Sequence, residues 1–185
     1  GVRLSYAIMD WVELGNKYPP ALIELRKIRN KNKDTMSSGK GTFNDFHDFS
    51  SINRELGEEI KTVELFSELS ENFPLQAKRL YHVVEDLLIE KKEFILLDKY
   101  MDDPIFKYET LRHSREQSLS YARKNPKEDS SVSLEYSDNR FIDETIKLIN
   151  VLLILNKKPE AIEIHQRATR YFQNKKLESI VIPRP

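Results

Sequence analysis

The chain has 185 residues with 30 basic and 30 acidic side chains, so its formal net charge is zero. A neutral chain lacks the global electrostatic field that draws proteins to nucleic acids or anionic membranes. The absence of cysteine excludes a disulfide framework and thiolate chemistry. Charged residues make up 32% of the chain and there are only 5 glycines, a composition that favours helices with solvated faces.

Residues 2–37 are predicted to form the first helix pair. Apolar residues at spacings of three and four indicate a helix from residue 2 that ends at Gly15. Pro19 and Pro20 suit the first turn of a second helix. That helix becomes strongly basic, and its glycine- and serine-containing end predicts a flexible loop over residues 31–42.

Two further helix pairs are predicted over residues 43–73 and 75–102. Gly57 separates the helices of the first pair and Pro74 closes it, while Lys91 and Lys92 form the turn of the second. The apolar stripes of these helices are formed by Phe46, Phe49, Ile52, Leu56, Ile60, Val63, Phe66, Leu69, Ala77, Leu80, Tyr81, Val84, Leu87 and Leu88.

The C-terminal part predicts a long helix from Pro104, a flexible loop over residues 125–137, and a helix that completes the pair 104–156. Pro159 starts the last pair, which extends over residues 159–181. The longest apolar run in the chain, residues 151–155, is far shorter than the ~20 residues that a membrane span requires.

These elements predict an all-α fold of about nine helices in a single domain over residues 1–182. Short connections favour antiparallel neighbours, and no stretch alternates apolar and polar residues as a strand would. The first residue is Gly1 and not Met, so an earlier, removed leader is compatible with the sequence. The compartment stays open, with the cytoplasm slightly favoured.

Two segments resemble tetratricopeptide repeats. Residues 56–74 are similar to the turn and second helix of a repeat, with its small, aromatic, small and proline positions occupied by Thr62, Phe66, Leu69 and Pro74. Residues 159–168 are similar to the same helix, with Ala161 and Ala168 at the two small positions and His165 in place of the aromatic residue. The resemblance covers roughly residues 43–110 and 140–175.

The resemblance implies antiparallel helix hairpins stacked as a right-handed α-solenoid that binds a peptide or protein in a concave groove. Family members that clamp a peptide carboxylate use lysine and asparagine at positions that His47, Ser51 and His82 occupy here, so this clamp is not expected. The groove-facing residues that the family register implies are Asn44, His47, Ser51, Arg54, Lys78, Tyr81, His82 and Glu85.

The leading hypothesis is therefore an interaction or scaffolding module, without catalysis or a cofactor of its own. The alternative is a nucleic-acid-associated protein that uses the basic segment 26–40, although this segment lacks aromatic residues for base stacking. A weaker alternative is a metal-dependent hydrolase that uses His82 and Glu85, which share a helix face at metal-ligand spacing. No second paired ligand motif supports that reading.

Overall fold

The computed structural model describes residues 2–125 and 130–182, and the side chains of residues 7–125 and 134–182. All regular secondary structure in this part of the chain is helical, which confirms the all-α prediction. The ten helices found there are α1 (Val2–Lys17), α2 (Pro19–Ser37), α3 (Phe43–Glu55), α4 (Ile60–Asn72), α5 (Pro74–Glu90), α6 (Phe94–Tyr100), α7 (Pro104–Lys124), α8 (Ser130–Ile154), α9 (Lys158–Tyr171) and α10 (Lys175–Glu178).

The contacts divide the chain into two compact units, Gly1–Tyr100 with helices α1–α6 and Met101–Pro185 with helices α7–α10. In the first unit, α2 packs against α1 and α3, and α5 packs against α4 and α6. In the second unit, α8 packs against α7 and α9. Consecutive helices therefore supply the main contacts within each unit, while a single domain over residues 1–182 stays a prediction.

Three helix pairs are joined by one kind of turn, in which Gly57, Lys92 and Asn156 adopt left-handed φ angles of 66°, 61° and 59°. In each turn the N–H of this residue donates to the carbonyl three residues earlier at 3.1 Å. The next N–H donates to the carbonyl five residues earlier at 2.8 Å. This bond pattern is the Schellman motif, and it satisfies carbonyls that the end of a helix leaves unpaired.

Proline opens four helices, and before three of them, α2, α5 and α7, it marks a second kind of junction. It occupies the first turn of α2, α5, α7 and α9, where its missing N–H is not needed for the helix. At the start of α7 the Asp103 carboxylate also accepts the N–H groups of Ile105 at 2.9 Å and Phe106 at 3.1 Å. From α3 to α7 the Schellman turns and the proline junctions alternate along the chain.

Aromatic side chains form the centre of the first unit. Phe46 and Phe66 are fully buried with ring centroids 6.3 Å apart, and Phe66 meets the ring of Tyr100 edge-on at 5.4 Å. Burial of one such side chain stabilises a fold by roughly 1.5–3 kcal/mol. Near α1, the Trp11 indole N–H donates to the carbonyl of Ala21 at 2.9 Å and so ties α1 to α2.

The second unit is built around the apolar end of α8. Ile149 and Leu152 have no exposed surface, and they pack with Ala161, Ile164 and Ala168 of α9, which are also fully buried. Ala161 and Ala168, the two small residues of the predicted repeat helix, thus lie in the core where α9 packs against α8. No helix in the described part of the chain, α8 included, has the length and hydropathy needed to cross a membrane.

The predicted end of the first helix at Gly15 is wrong, because α1 continues to Lys17. A Cβ atom at Gly15 would lie 2.3 Å from the side chain of Leu22, so this glycine permits α1 and α2 to approach closely. The position needs a small residue because the two helices pack closely there. The prediction treated glycine only as a residue that ends helices and so did not anticipate this role.

Both predicted loops are too long. Helix α2 continues through residues 31–37 because Met36, within this polar segment, is fully buried. Residues 130–137 belong to α8, and residues 126–129 of the second predicted loop lie outside the described residues. Among residues 31–37 the exposed polar side chains occupy a solvated helix face, so low hydropathy alone is a poor indicator of a loop.

Candidate functional site

Helices α3 and α5 contact each other, and three rings join their outer faces. Phe43, the first residue of α3, is 46% exposed and stacks on His47 with ring centroids 5.7 Å apart. The same phenylalanine stacks on His82 of α5 at 5.6 Å, with the two ring planes only 6° apart. The structure thus brings together two of the predicted groove residues, His47 and His82, through a third residue that was not among those predicted for the groove.

Tyr81, the neighbour of His82 in α5, is held in place by two contacts. Its hydroxyl donates to the Glu85 carboxylate at 3.1 Å, and its ring stacks on that of Tyr100 at 6.1 Å. The Tyr100 hydroxyl in turn donates to Ser70 Oγ at 3.0 Å. A half-buried aromatic side chain supported in this way loses little conformational entropy when a partner binds.

The predicted polar groove residues Asn44, Arg54 and Lys78 are exposed on α3 and α5. Arg54 donates two hydrogen bonds to its neighbour Glu55, at 3.1 and 3.0 Å. All three thus lie exposed on the two helices that carry the rings, and the charge of Arg54 is paired with Glu55. The resulting α3–α5 face is defined here as Phe43, Asn44, His47, Arg54, Lys78, Tyr81, His82 and Glu85.

Ser51 does not belong to this face. It is only 6% exposed and therefore cannot contact a partner. The reason is that α3 packs against α1, α2, α4 and α5, which together leave little free surface around its middle turns. The prediction of Ser51 as a groove residue is corrected accordingly.

The Nδ1 atom of His47 lies 4.0 Å from the Asp48 carboxylate. Burial raises the pKa of Asp48, and the nearby His47 opposes that rise. In the first turn of α3, the Asp45 carboxylate accepts hydrogen bonds from the hydroxyl and N–H of Thr42, both at 2.7 Å, which lower the pKa of Asp45. This reciprocal cap sets where α3 begins, and hence the position of Phe43.

The basic segment 26–40 does not present a continuous charged stripe. Arg29 is 6% exposed and pairs with Glu58, to which Arg26 also donates at 3.0 Å. Lys61 completes this group. The hydrogen bond from Lys61, followed by those from Arg26 and Arg29, lowers the pKa of Glu58 to about 2. Two of the predicted phosphate-binding cations are therefore structural, joining α2 to the turn between α3 and α4.

His82 and Glu85 do not form part of a metal-ligand cluster within the described part of the chain. No group of three or more His, Cys, Asp or Glu residues there could hold a metal ion. His82 instead stacks on Phe43, and Glu85 accepts the hydrogen bond from Tyr81.

The second unit contains a charged and aromatic cluster that the sequence analysis missed. Arg115 is 8% exposed, and its guanidinium lies 4.1 Å from the centre of the Phe172 ring and 5.4 Å from that of Tyr171. It donates to the Asp138 carboxylate at 2.7 Å and to the Tyr171 hydroxyl at 3.1 Å. One arginine thereby ties α7 to α8 and to the end of α9.

Beside this cluster, Glu109 of α7 accepts hydrogen bonds from Arg112 and from Arg167 of α9, each at 2.8 Å. Burial raises the pKa of Glu109, but these hydrogen bonds outweigh burial and leave that pKa lowered. In the sequence, this cluster is indicated by Glu109, Arg112 and Arg115, which are three residues apart and therefore lie on one side of α7. Their partners on α8 and α9 are too distant in sequence for spacing to reveal.

No protein-family model, curated protein or solved structure significantly matches the chain. The resemblance to tetratricopeptide repeats therefore depends on the residues and geometry of this chain alone.

Proposed function

We propose that the helix pairs stack as a tetratricopeptide-like, right-handed α-solenoid. The alternation of Schellman turns and proline junctions from α3 to α7 supports this proposal, since it is what a chain of repeated hairpins requires. Gly57 and Lys92 occupy equivalent positions in successive turns and lie 35 residues apart, close to the ~34-residue period of such repeats.

Small-angle X-ray scattering of the monomer tests the solenoid. A compact chain of this length has a radius of gyration near ~16 Å, whereas a stack in which each hairpin contacts only its neighbours is longer. We expect a value clearly above ~16 Å. A value at or below it would indicate a closed bundle and would contradict the proposal.

We further propose that the protein is an interaction module, without catalysis of its own, and that the α3–α5 face binds a peptide or protein partner. The observation that carries this proposal is the half-exposed Phe43 ring, stacked on both His47 and His82. Aromatic side chains on a rigid support provide most of the binding energy of many interfaces. Tyr81, held by Glu85 and Tyr100, provides a second such anchor.

A selection of peptides from a displayed random library, followed by affinity measurements on the selected sequences, tests the binding face. We expect the Phe43→Ala/His82→Ala variant to bind the selected peptides at least tenfold more weakly, which corresponds to ~1.4 kcal/mol. Phe106→Ala is the matched control, because Phe106 on α7 is 71% exposed and lies outside the face.

Circular dichroism would establish that both variants remain folded. If the Phe43→Ala/His82→Ala variant kept full affinity while folded, the α3–α5 face would not be the binding site. If the selection yielded no peptide for the wild-type protein, peptide binding by this face would be contradicted as well.

A further inference from the structure

A second surface with binding character lies along α7 and α9. Two depressions there both have Tyr171 in their lining and are together called the α7–α9 cleft; the larger has a volume of about 420 Å³. Among the described residues that line it, only Glu109 and Glu116 are acidic. The basic residues that line it are Arg112, Arg115, Arg123, Lys124, Arg167 and Arg170.

Half of these cations already have carboxylate partners. Arg112 and Arg167 share Glu109, and Arg115 pairs with Asp138. The remaining three are Arg123 and Lys124 in the last turn of α7 and Arg170 in the last turn of α9. All three are exposed and make no ion pair with any described residue, so the cleft presents unneutralised positive charge.

The cleft also has an apolar floor and an unused donor. Leu119 and Tyr171 are half-buried within it. Tyr108, 1% exposed at the end near Arg167, has a hydroxyl without a hydrogen-bond partner among the described residues. Burial raises the pKa of Tyr108 to about 12, so this hydroxyl remains protonated at neutral pH.

The Tyr171 ring already contacts three side chains and is less accessible than a base-stacking platform requires. Arg112 and Arg115 lie over the ring at 5.7 and 5.4 Å, and Phe141 meets it edge-on at 5.5 Å. Single-stranded nucleic acids are bound mainly by stacking on exposed rings in a positive groove. The cleft therefore favours carboxylates with an apolar companion over a nucleic acid.

We propose that the α7–α9 cleft binds an acidic peptide segment. Its carboxylates pair with Arg123, Lys124 and Arg170, and an apolar side chain lies against Leu119. Guanidinium groups form strong, directional hydrogen bonds with carboxylates. This surface goes beyond the proposed function, because it lies in the second unit and shares no residue with the α3–α5 face.

Fluorescence anisotropy of three labelled probes tests the proposal. The probes are a peptide of alternating Glu and Leu residues, the same peptide with Gln in place of Glu, and a random single-stranded oligonucleotide. We expect the wild-type protein to bind the Glu peptide at least tenfold more tightly than either other probe. The Arg123→Gln/Arg170→Gln variant should lose at least tenfold of this affinity.

The matched control is Lys27→Gln/Lys33→Gln, which removes two exposed positive charges from α2. It should bind the Glu peptide as the wild-type protein does, and so should Phe43→Ala, which separates this proposal from the α3–α5 face. If the double arginine variant failed to fold, Arg170→Gln alone should still weaken binding several-fold.

Three results would overturn the proposal. The wild-type protein could fail to bind the Glu peptide, or could bind the oligonucleotide at least as tightly. Equal losses in the cleft variant and in the α2 control would show that the peptide responds only to overall charge.

Discussion

Glu58 in the first unit and Arg115 in the second are both charged groups held in ion pairs, one half-buried and the other buried, but their surroundings differ. The Glu58 carboxylate is surrounded by the cations Arg26, Arg29 and Lys61. The Arg115 guanidinium has one carboxylate partner and otherwise lies against aromatic rings. The first arrangement depends on a carboxylate that acid can neutralise, whereas the second depends on a planar cation that remains charged at all accessible pH values.

The sole tryptophan of the chain, Trp11, makes the comparison measurable. Trp11 lies in α1, so its fluorescence reports unfolding of the first unit, whereas circular dichroism reports helices in both units. A substitution that destabilises only the second unit should therefore alter the unfolding curve measured by circular dichroism more than the curve measured by Trp11 fluorescence.

Arg115→Ala should give the largest effect. It removes the partner of Asp138 and of the Tyr171 hydroxyl, and it leaves a gap beside the Phe172 ring. We expect a loss of ~2–4 kcal/mol in the free energy of unfolding, measured by urea titration with circular dichroism. Arg115→Lys should recover less than half of it, because an ammonium group cannot reproduce the planar stack. Full recovery by lysine would show that only the charge matters.

Glu58→Gln should be the largest effect in the first unit and should depend on pH. Because the pKa of Glu58 in the folded protein is lowered from 4.5 to about 2, its contribution is present above pH ~4.5 and is lost as the pH falls towards 2. We expect a loss of ~1–3 kcal/mol at pH 7 and a flatter decline in acid, both measured by Trp11 fluorescence.

The matched control for Glu58 is Glu13→Gln. Glu13 is exposed and pairs only with Lys17 at 3.4 Å, and such surface pairs contribute less than ~1 kcal/mol. Identical acid profiles for the Glu58 variant and the wild-type protein would contradict the assigned role of this carboxylate.

Ala168→Leu tests the packing of the second unit, where the predicted close approach of α9 coincides with a fully buried alanine. Three additional carbon atoms should overpack the α8–α9 core and destabilise it by ~1–3 kcal/mol. Ala7→Leu on the exposed side of α1 is the control and should change the melting temperature little. An unchanged melting temperature for Ala168→Leu would show that this core has free space.

Replacement of the left-handed residues by glycine should give the smallest effects and compares equivalent turns in the two units. Lys92→Gly in the first unit should stabilise by ~0.5–1 kcal/mol, since a side chain is disfavoured at positive φ. Asn156→Gly in the second unit should gain less, because asparagine tolerates this conformation better than lysine does. Thermal unfolding of both variants measures the difference, and a larger gain at Asn156 would contradict this account.

The sequence predicted most of the helix pairs because the signals for them are local. Gly57, Pro74, Pro104 and Pro159 mark junctions by their own backbone chemistry, and the apolar stripes indicate which faces are buried. The extension of α2 to Ser37 was not predictable in this way. It depends on the burial of Met36, which the polar residues around it do not indicate.

The candidate sites were predicted only in part, for the same reason. A repeat register places His47 and His82 on neighbouring helices, but the ring that joins them, Phe43, follows from the cap that starts α3. The pairing of Arg29 with Glu58 and of Arg115 with Asp138 joins residues more than 20 positions apart. Spacing within one helix gives no information about such partners.

The three Schellman turns have an engineering consequence. Their left-handed positions hold glycine, lysine and asparagine, yet the two hydrogen bonds that close each turn have the same lengths in all three. The geometry is therefore set by the helices on either side, while the residue at the turn changes the stability by up to ~1 kcal/mol without changing these bonds. Because the turns at residues 56–58, 91–93 and 155–157 share one backbone geometry, one can replace another. A segment that begins at one such turn and ends at the next could therefore be duplicated to add one helix pair to the protein.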